Sequence, residues 1–362
     1  MLSDAGHVVE VDIVSNDTIG GLNKAQAFAR ASYDASNEKK VAARCAAFEP
    51  DIVHVHNFWP LLTPAVHVGA RSSGAALVQT LHNYRLLCAA ATFERGGQVC
   101  EDCLHGSKLN AVLHACYRGS RAASLALVRL QQAEAKKATL SSHVDRFICL
   151  SQFARNKFEE GGLPKAKLAI KPNFIERAAV LPTEGARRSM LFVGRLSPEK
   201  GLRVLVEAWQ ELPGIPLRIA GDGPLLDELR IDAPPNVVFL GRLDSEQVLD
   251  EMRKARALLV PSLWYEGFPM TIVEAFSAGL PVIASRLGAL AEIILPGKTG
   301  ALFDAGSAAA LAATVRTLDA APERLAQMGR DARATYENRY TAQQNLPLLE
   351  AIYAEAMAAR RA

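Results

Sequence analysis

The sequence predicts an α/β protein of two doubly wound, Rossmann-like domains, and three observations carry that prediction. The chain has 362 residues, more than one hydrophobic core ordinarily serves. Short apolar runs of β type alternate with runs of helical period through the second half. The connections are short and glycine-bearing, which suits a parallel sheet with helices on both faces.

Composition bounds the function. Hydrophobic residues make up 49% and charged residues 22%, values of a globular protein. No apolar run approaches the roughly 18 residues that span a bilayer. The N-terminus has no basic region followed by an apolar core, so the expected compartment is the cytoplasm, where six cysteines serve as thiols or ligands. A net charge of +3 is too small to argue for nucleic acid. Residues 1–183 carry 21 basic and 16 acidic side chains, a balance of +5, and the remainder carries 20 and 22. A basic first half suits an anionic membrane or acceptor, although scattered solvated charge is the plainer reading.

In the second half SMLFVGRL reads as a strand, EKGLRVLVEAWQEL as a helix and PLRIAGDGP as a strand running into a turn. NVVFLGRL is a strand, SEQVLDEMRKA a helix capped at its serine, and ALLVPS and PVIAS are buried strands. In the first half HVVEVDIVS, DIVHVHN, AALVQTLHN and RFICLS read as strands, with helices over residues 23–48 and 120–138. The domains are expected at 1–183 and 184–341, with a final helix at 342–362 returning to the first domain. MLSDAGH reads as the end of a helix closed by Gly6, so the strand, glycine-rich turn and helix that usually open such a domain are absent. A frayed tail is the alternative reading of those residues.

The stretch EGFPMTIVEAFSAGLPV carries two carboxylates, Glu266 and Glu274. Proline favours the first helical position, so the helix is expected to start at Pro269, with Glu266, Gly267 and Phe268 in the loop before it. Free N–H groups and the helix dipole then form an anion site. Both carboxylates can line one crevice and accept hydrogen bonds from hydroxyl groups. GRLSPEKG places Arg195 and Lys200 after another strand, where cations suit a diphosphate. Gly221 and Gly223 in GDGP permit close backbone approach. Each signal alone is common in turns and solvated loops.

Together, Gly194-Arg195, Glu199-Lys200-Gly201, GDGP and Glu266-x7-Glu274 resemble the family 4 glycosyltransferases of GT-B fold. DIVHVHN and QTLHNYRLLC extend the likeness into the first half. The resemblance implies two Rossmann-like domains facing across a cleft and a nucleotide-sugar donor held by the second. It implies retaining transfer without a metal, to a glycan or lipid-linked acceptor in polysaccharide or cell-envelope synthesis. Arg195 and Lys200 would hold the diphosphate, Glu274 the ribose, and Glu266 with the following N–H groups the sugar. Gly221, Gly223, Gly267 and Phe268 would complete the donor site. His82 matches a first-domain histidine near the donor sugar, and one of His54, His56 and Asn57 would meet the acceptor, with His54 better read as a satisfied core residue. The missing glycine-rich loop leaves a second expectation, a truncated scaffold that binds nucleotide or a partner with weak or no turnover. A sugar-nucleotide epimerase or phosphorylase fits GRLSPEKG less well. A dehydrogenase is disfavoured, because no G-x-G-x-x-G opens a helix.

Cys88, Cys100, Cys103 and Cys116 fall in one segment and contain a C-x2-C pair. They read as a structural zinc site, with His105 and His114 as substitutes, or as small buried thiols. The stretch that follows carries Arg118, Arg121, Arg129, Lys136 and Lys137 beside Leu and Val. It suits an anionic membrane at the inner face, or a core helix with a solvated basic side, the better-favoured reading.

Overall fold

The computed structural model describes residues 1–15, 32–176, 178–179, 181 and 187–361. The chain forms two compact units. One comprises Met1–Phe93, Cys100–Lys171 and Leu346–Ala362; the other comprises Glu94–Val99 and Pro172–Asn345. The change-over at Pro172 precedes the expected 183/184 boundary, and residues 182–186 lie outside the described part.

The strands in chain order begin with β1 (Ile52–Val55), β2 (Ala76–Leu81), the small antiparallel hairpin β3 (Glu94–Arg95) and β4 (Gln98–Val99), β5 (Arg146–Cys149) and β6 (Leu168–Ile170). The first unit's sheet runs β1-β2-β5-β6, all parallel. Every residue of β2 is buried, as a central parallel strand requires. Leu349, Ile352 and Ala356 of helix Ala342–Arg361 cluster with Ala76, Val78 and Ile148 of this sheet. Helix Arg121–Lys137 is capped by Ser120, whose Oγ accepts from Ala123 N at 3.3 Å. Its Leu127, Val128 and Leu130 pack with Ala89 and Ala111 in the unit's own core. Arg121, Arg129, Lys136 and Lys137 stay exposed. The apolar face of this helix is thus covered by its own unit.

Two expectations for the first half change. Residues 7–15, read as a strand, form none; Val8 is 85% and Ile13 83% exposed. Alternation says which face a strand would bury, but backbone pairing needs a neighbouring strand, and among the described residues none pairs here. The segment is tied instead by a hydrogen bond between His7 Nε2 and Glu350 Oε1 at 2.9 Å and an ion pair of Glu10 with Arg44 at 2.6 Å. The helix expected over 23–48 is described as Ala35–Phe48, capped by Asp34, and residues 23–31 lie outside the described part. Gly6 does take the left-handed conformation after the short turn Ser3–Ala5.

The second unit contains β7 (Ser189–Val193), β8 (Leu217–Ala220), β9 (Val237–Gly241), β10 (Ala255–Val260), β11 (Val282–Ser285) and β12 (Gly300–Phe303). Its sheet runs β12-β11-β10-β7-β8-β9, all parallel. Strand order therefore reverses between β7 and β10, and a doubly wound sheet binds ligands beyond the carboxyl ends of strands at that switch point. Buried Trp209 anchors the core and donates from Nε1 to Ile215 O at 2.8 Å. Helix Ser245–Lys254 is capped by Asp244 and not by Ser245. Asp244 Oδ1 accepts from Gln247 N at 2.9 Å, and Gln247 Oε1 accepts from Asp244 N at 3.0 Å, a reciprocal box that serine does not offer here. Helix Met270–Ser277 also starts one residue late: Pro269 has extended backbone, ψ 115°, and is the cap.

Candidate functional site

The loops that leave β7 and β10 meet at the switch point. Lys200, at the end of the turn Pro198–Lys200, reaches Glu266 in the β10 loop, with Nζ 2.8 Å from Oε1. Ser262 Oγ donates to the same oxygen at 2.7 Å. Glu266 is 5% exposed, so its carboxylate is fixed by two donors in a sheltered place. Its Oε2 has no partner among the described residues. Lys200 Nζ also lies 5.0 Å from the Trp264 ring centroid. Backbone brings the loops together: Leu263 N donates to Glu199 O at 2.9 Å. A Cβ on Gly201, at φ +73°, would sit 1.9 Å from Pro261 O. Glycine there allows the β7 and β10 loops to touch.

The β8 loop joins them. Leu196 N donates to Asp222 O at 2.9 Å, and a Cβ on Gly221 would come within 1.8 Å of Gly194 O. A Cβ on Gly223 would come within 2.5 Å of Leu196 O. Arg195 lies in this loop pair, exposed and without an ion pair among the described residues. Lys200 thus has a fixed partner in the β10 loop, whereas Arg195 has no ion-pair partner among the described residues.

Helix Met270–Ser277 begins directly after the Glu266 loop. The N–H groups of Gly267 and Phe268 find no acceptor among the described residues. The Phe268 ring is buried against Tyr340, 5.9 Å between centroids, which leaves its backbone for a ligand. Glu274 is half-buried with no ion-pair partner among the described residues, and burial raises its pKa.

In the first unit, histidines collect at the carboxyl ends of β1 and β2. His56 Nδ1 and His82 Nε2 are 2.8 Å apart, and the rings of His54 and His56 stack at 4.3 Å. His54 is satisfied on both nitrogens, by Tyr353 OH at 2.8 Å and Thr80 Oγ1 at 2.7 Å. Burial pushes His54 down to about 3 and His82 to about 4, with the neighbouring histidines and Lys171 adding to it. Burial likewise lowers His56, and Lys171 to about 8. These imidazoles are neutral at pH 7 and act there as hydrogen-bonding groups. Buried Gln79 braces the β1 loop by donating to His56 O, and its Oε1 meets His67 Nε2 at 2.8 Å.

Cys88, Cys100, Cys103 and Cys116 form no disulfide, and Cys103 and Cys116 pack beside the Ala89–Ala111 cluster. Burial raises the Cys103 pKa, and Cys88 and Cys100 add to it. No three of their sulfurs come within 4.8 Å of one another, whereas Glu101, His105 and Glu160 offer ligand atoms within that range. There Lys157 Nζ, 2.7 Å from Glu101 Oε1, already supplies a positive charge. His114 joins neither group.

Ser262 and Trp264 are absent from the sequence reading. A serine and a tryptophan just past a strand carry no periodic signal. Ser262 stands four residues before Glu266, and only tertiary folding turns that spacing into a hydrogen bond.

Two families match the chain in succession. The one described as Glycosyltransferase Family 4 matches residues 4–178, and Glycosyl transferases group 1 matches residues 175–335. An uncharacterised glycosyltransferase of Methanocaldococcus jannaschii is 34% identical over 173 residues, 47% of either chain. A glycogen synthase of Mycobacterium tuberculosis is 30% identical over 302 residues, 78% of this chain and 64% of that protein. The chain thus spans about half to two-thirds of the length of these relatives. Among solved structures, Anabaena HepE in complex with UDP aligns with a TM-score of 0.67 and 20% identity, over 88% of this chain and 82% of that one.

Proposed function

The chain belongs to the family 4 glycosyltransferases, of GT-B fold, and from that premise we propose that it transfers a sugar from a nucleotide-sugar donor to a glycan or lipid-linked acceptor. The observation that carries this reading is the Lys200–Glu266 pair at the switch point of the second unit. A cation, a fixed carboxylate and free N–H groups before a helix suit a diphosphate with a hydroxyl-rich group attached. A UDP complex of a chain with the same fold supports a nucleotide-sugar donor.

In the proposed step Lys200 and Arg195 take the charge of the departing diphosphate, so the step needs no metal. Glu266 Oε2 and the N–H groups of Gly267 and Phe268 hold the sugar, and Gly221 and Gly223 let backbone approach it. Glu274 accepts from the ribose hydroxyls. Neutral His82, paired with His56 in the first unit, offers one hydrogen bond to a bound sugar. The acceptor hydroxyl attacks the anomeric carbon from the face the diphosphate leaves. The bond from carbon to diphosphate oxygen breaks, and the hydroxyl proton passes to that oxygen. Configuration is retained. The expected setting is the cytoplasm, at the inner face of the membrane, in polysaccharide or cell-envelope synthesis. Among the described residues no helix is long and apolar enough to cross a membrane.

Release of nucleoside diphosphate from UDP-, GDP- and ADP-sugars tests the reading. Slow hydrolysis of one donor, lost in Glu266→Gln, is expected; no release from any donor counts against turnover. A second reading, a chain that binds the donor without turnover, is suggested by residues 7–15, which form no strand. Nucleotide binding without release would select it.

A further inference from the structure

Three loops of the first unit enclose one guanidinium. Arg85 follows β2, three residues after His82, and its Cζ lies 5.5 Å from the Trp59 ring centroid and 5.2 Å from that of Tyr117. Trp59 follows β1, and Tyr117 precedes helix Arg121–Lys137. The two rings meet edge to face at 5.4 Å. Backbone bonds fix the arrangement: Gln131 Nε2 donates to Arg85 O at 2.6 Å, Arg85 N donates to Asn83 Oδ1 at 3.1 Å, and Tyr117 N donates to Ser124 Oγ at 3.0 Å.

The clamp leaves the charge unanswered. A guanidinium has five N–H donors, and Arg85 makes one long bond, from Nη1 to Ala89 O at 3.4 Å. No carboxylate pairs with it among the described residues. A second cation stands close by: Arg118, exposed, has Cζ 5.3 Å from the same Tyr117 ring and has no acidic partner among the described residues. Burial lowers the Arg85 pKa, and the Arg118 charge acts in the same direction. Aromatic faces offset part of the cost of sheltering a cation. They do not supply the in-plane oxygen atoms that a guanidinium fork matches.

We propose that Arg85, held between Trp59 and Tyr117 and assisted by Arg118, binds an oxyanion of the acceptor, a carboxylate or a phosphate on a sugar. This rests on the glycosyltransferase reading and narrows its acceptor to an anionic glycan or a phosphate-linked sugar. The planar fork takes two oxygens of either group, and the flanking rings offer apolar surface to the sugar that bears it. The site shares the β1 and β2 strand ends with His56 and His82, so an acceptor anchored there lies within the unit that carries the histidines.

Isothermal titration of the full chain with methyl glucuronide, glucose 1-phosphate, methyl glucoside and inorganic phosphate tests this without requiring turnover. At least one anionic sugar is expected to bind about tenfold or more tightly than methyl glucoside, a difference of about 1.4 kcal/mol. Arg85→Gln should abolish that preference, and Arg85→Lys should keep only part of it. Arg118→Gln, at an exposed position, should weaken anionic binding about two- to fivefold and serves if Arg85→Gln does not fold. A glucuronide preference identifies an acidic glycan, and a glucose 1-phosphate preference identifies a phosphate-linked one. Equal affinity for charged and neutral sugars, or a preference surviving in Arg85→Gln, overturns the proposal. So does inorganic phosphate binding as tightly as glucose 1-phosphate. Donor hydrolysis, measured separately, tells failure of this site from failure of the transferase reading.

Discussion

Lys200 Nζ and Glu266 Oε1, 66 residues apart in sequence, are 2.8 Å apart in the fold. The contact joins the loops after β7 and β10, the two strands between which the strand order reverses. Removing the lysine leaves a carboxylate that is 5% exposed with the Ser262 hydroxyl but without its cation. Lys200→Ala is therefore expected to cost about 2 kcal/mol, below the 3–5 of a fully buried pair because the lysine keeps some contact with water. Glu266→Gln, which keeps the acceptor oxygen, should cost less. Urea unfolding of both variants measures the difference, and equal stability would contradict the pairing.

Gly201 sets the distance between the same two loops. Alanine there meets Pro261 O and is held at φ +73°. Backbone strain alone is worth roughly 1–3 kcal/mol. Gly201→Ala should unfold at lower denaturant and lose nucleotide binding, whereas Gly214→Ala, with nothing within 4 Å of its added Cβ, should stay near wild type.

Glu274 separates stability from function. Its carboxyl is half-buried with no ion-pair partner among the described residues, and burial raises its pKa. The unfolded chain then ionises more readily than the folded one, so this group costs stability as pH rises above the ordinary glutamate range. Glu274→Gln should leave the melting temperature equal or higher at pH 8 while reducing stabilisation by UDP. A variant that loses stability but binds UDP normally would refute the ribose role.

The histidines give the first unit an acid limit. His54 is pushed to about 3, and His67 and His82 to about 4, each mainly by burial. Above pH 6.5 they are neutral whether folded or not, and their contribution is complete. Between 6.5 and about 4 only the unfolded chain takes up these protons, so stability falls as pH falls, by about 1.4 kcal/mol per unit for each fully buried histidine. Urea unfolding at pH 7.5, 6.5 and 5.5 should show the decline, and His67→Gln should flatten it. A flat profile would mean that the rings are hydrated.

The sequence made the second sheet legible because its strands are apolar runs closed by glycine, as in SMLFVGRL and PLRIAGDGP. β12 was missed because GALF is short and opens on a glycine, Gly300, that is needed for close approach to Val282. β6 was missed because of its three residues only Leu168 is buried. Residues 7–15 misled because alternation does not supply a pairing partner. In the site, Lys200 and Glu266 were visible as motif residues. Ser262, Trp264 and the clamp on Arg85 were not, since each depends on loops that only the fold brings together.

The proposed docking place of a nucleoside diphosphate is where Lys200, Glu266 and the start of helix Met270–Ser277 meet. Titration of UDP, GDP and ADP into wild type, Lys200→Ala and Arg195→Ala tests it most directly. One nucleotide should bind the wild type and lose about tenfold or more in affinity in each variant, as removal of a charge-assisted contact implies. Undiminished binding in both variants would place the diphosphate elsewhere and contradict the account.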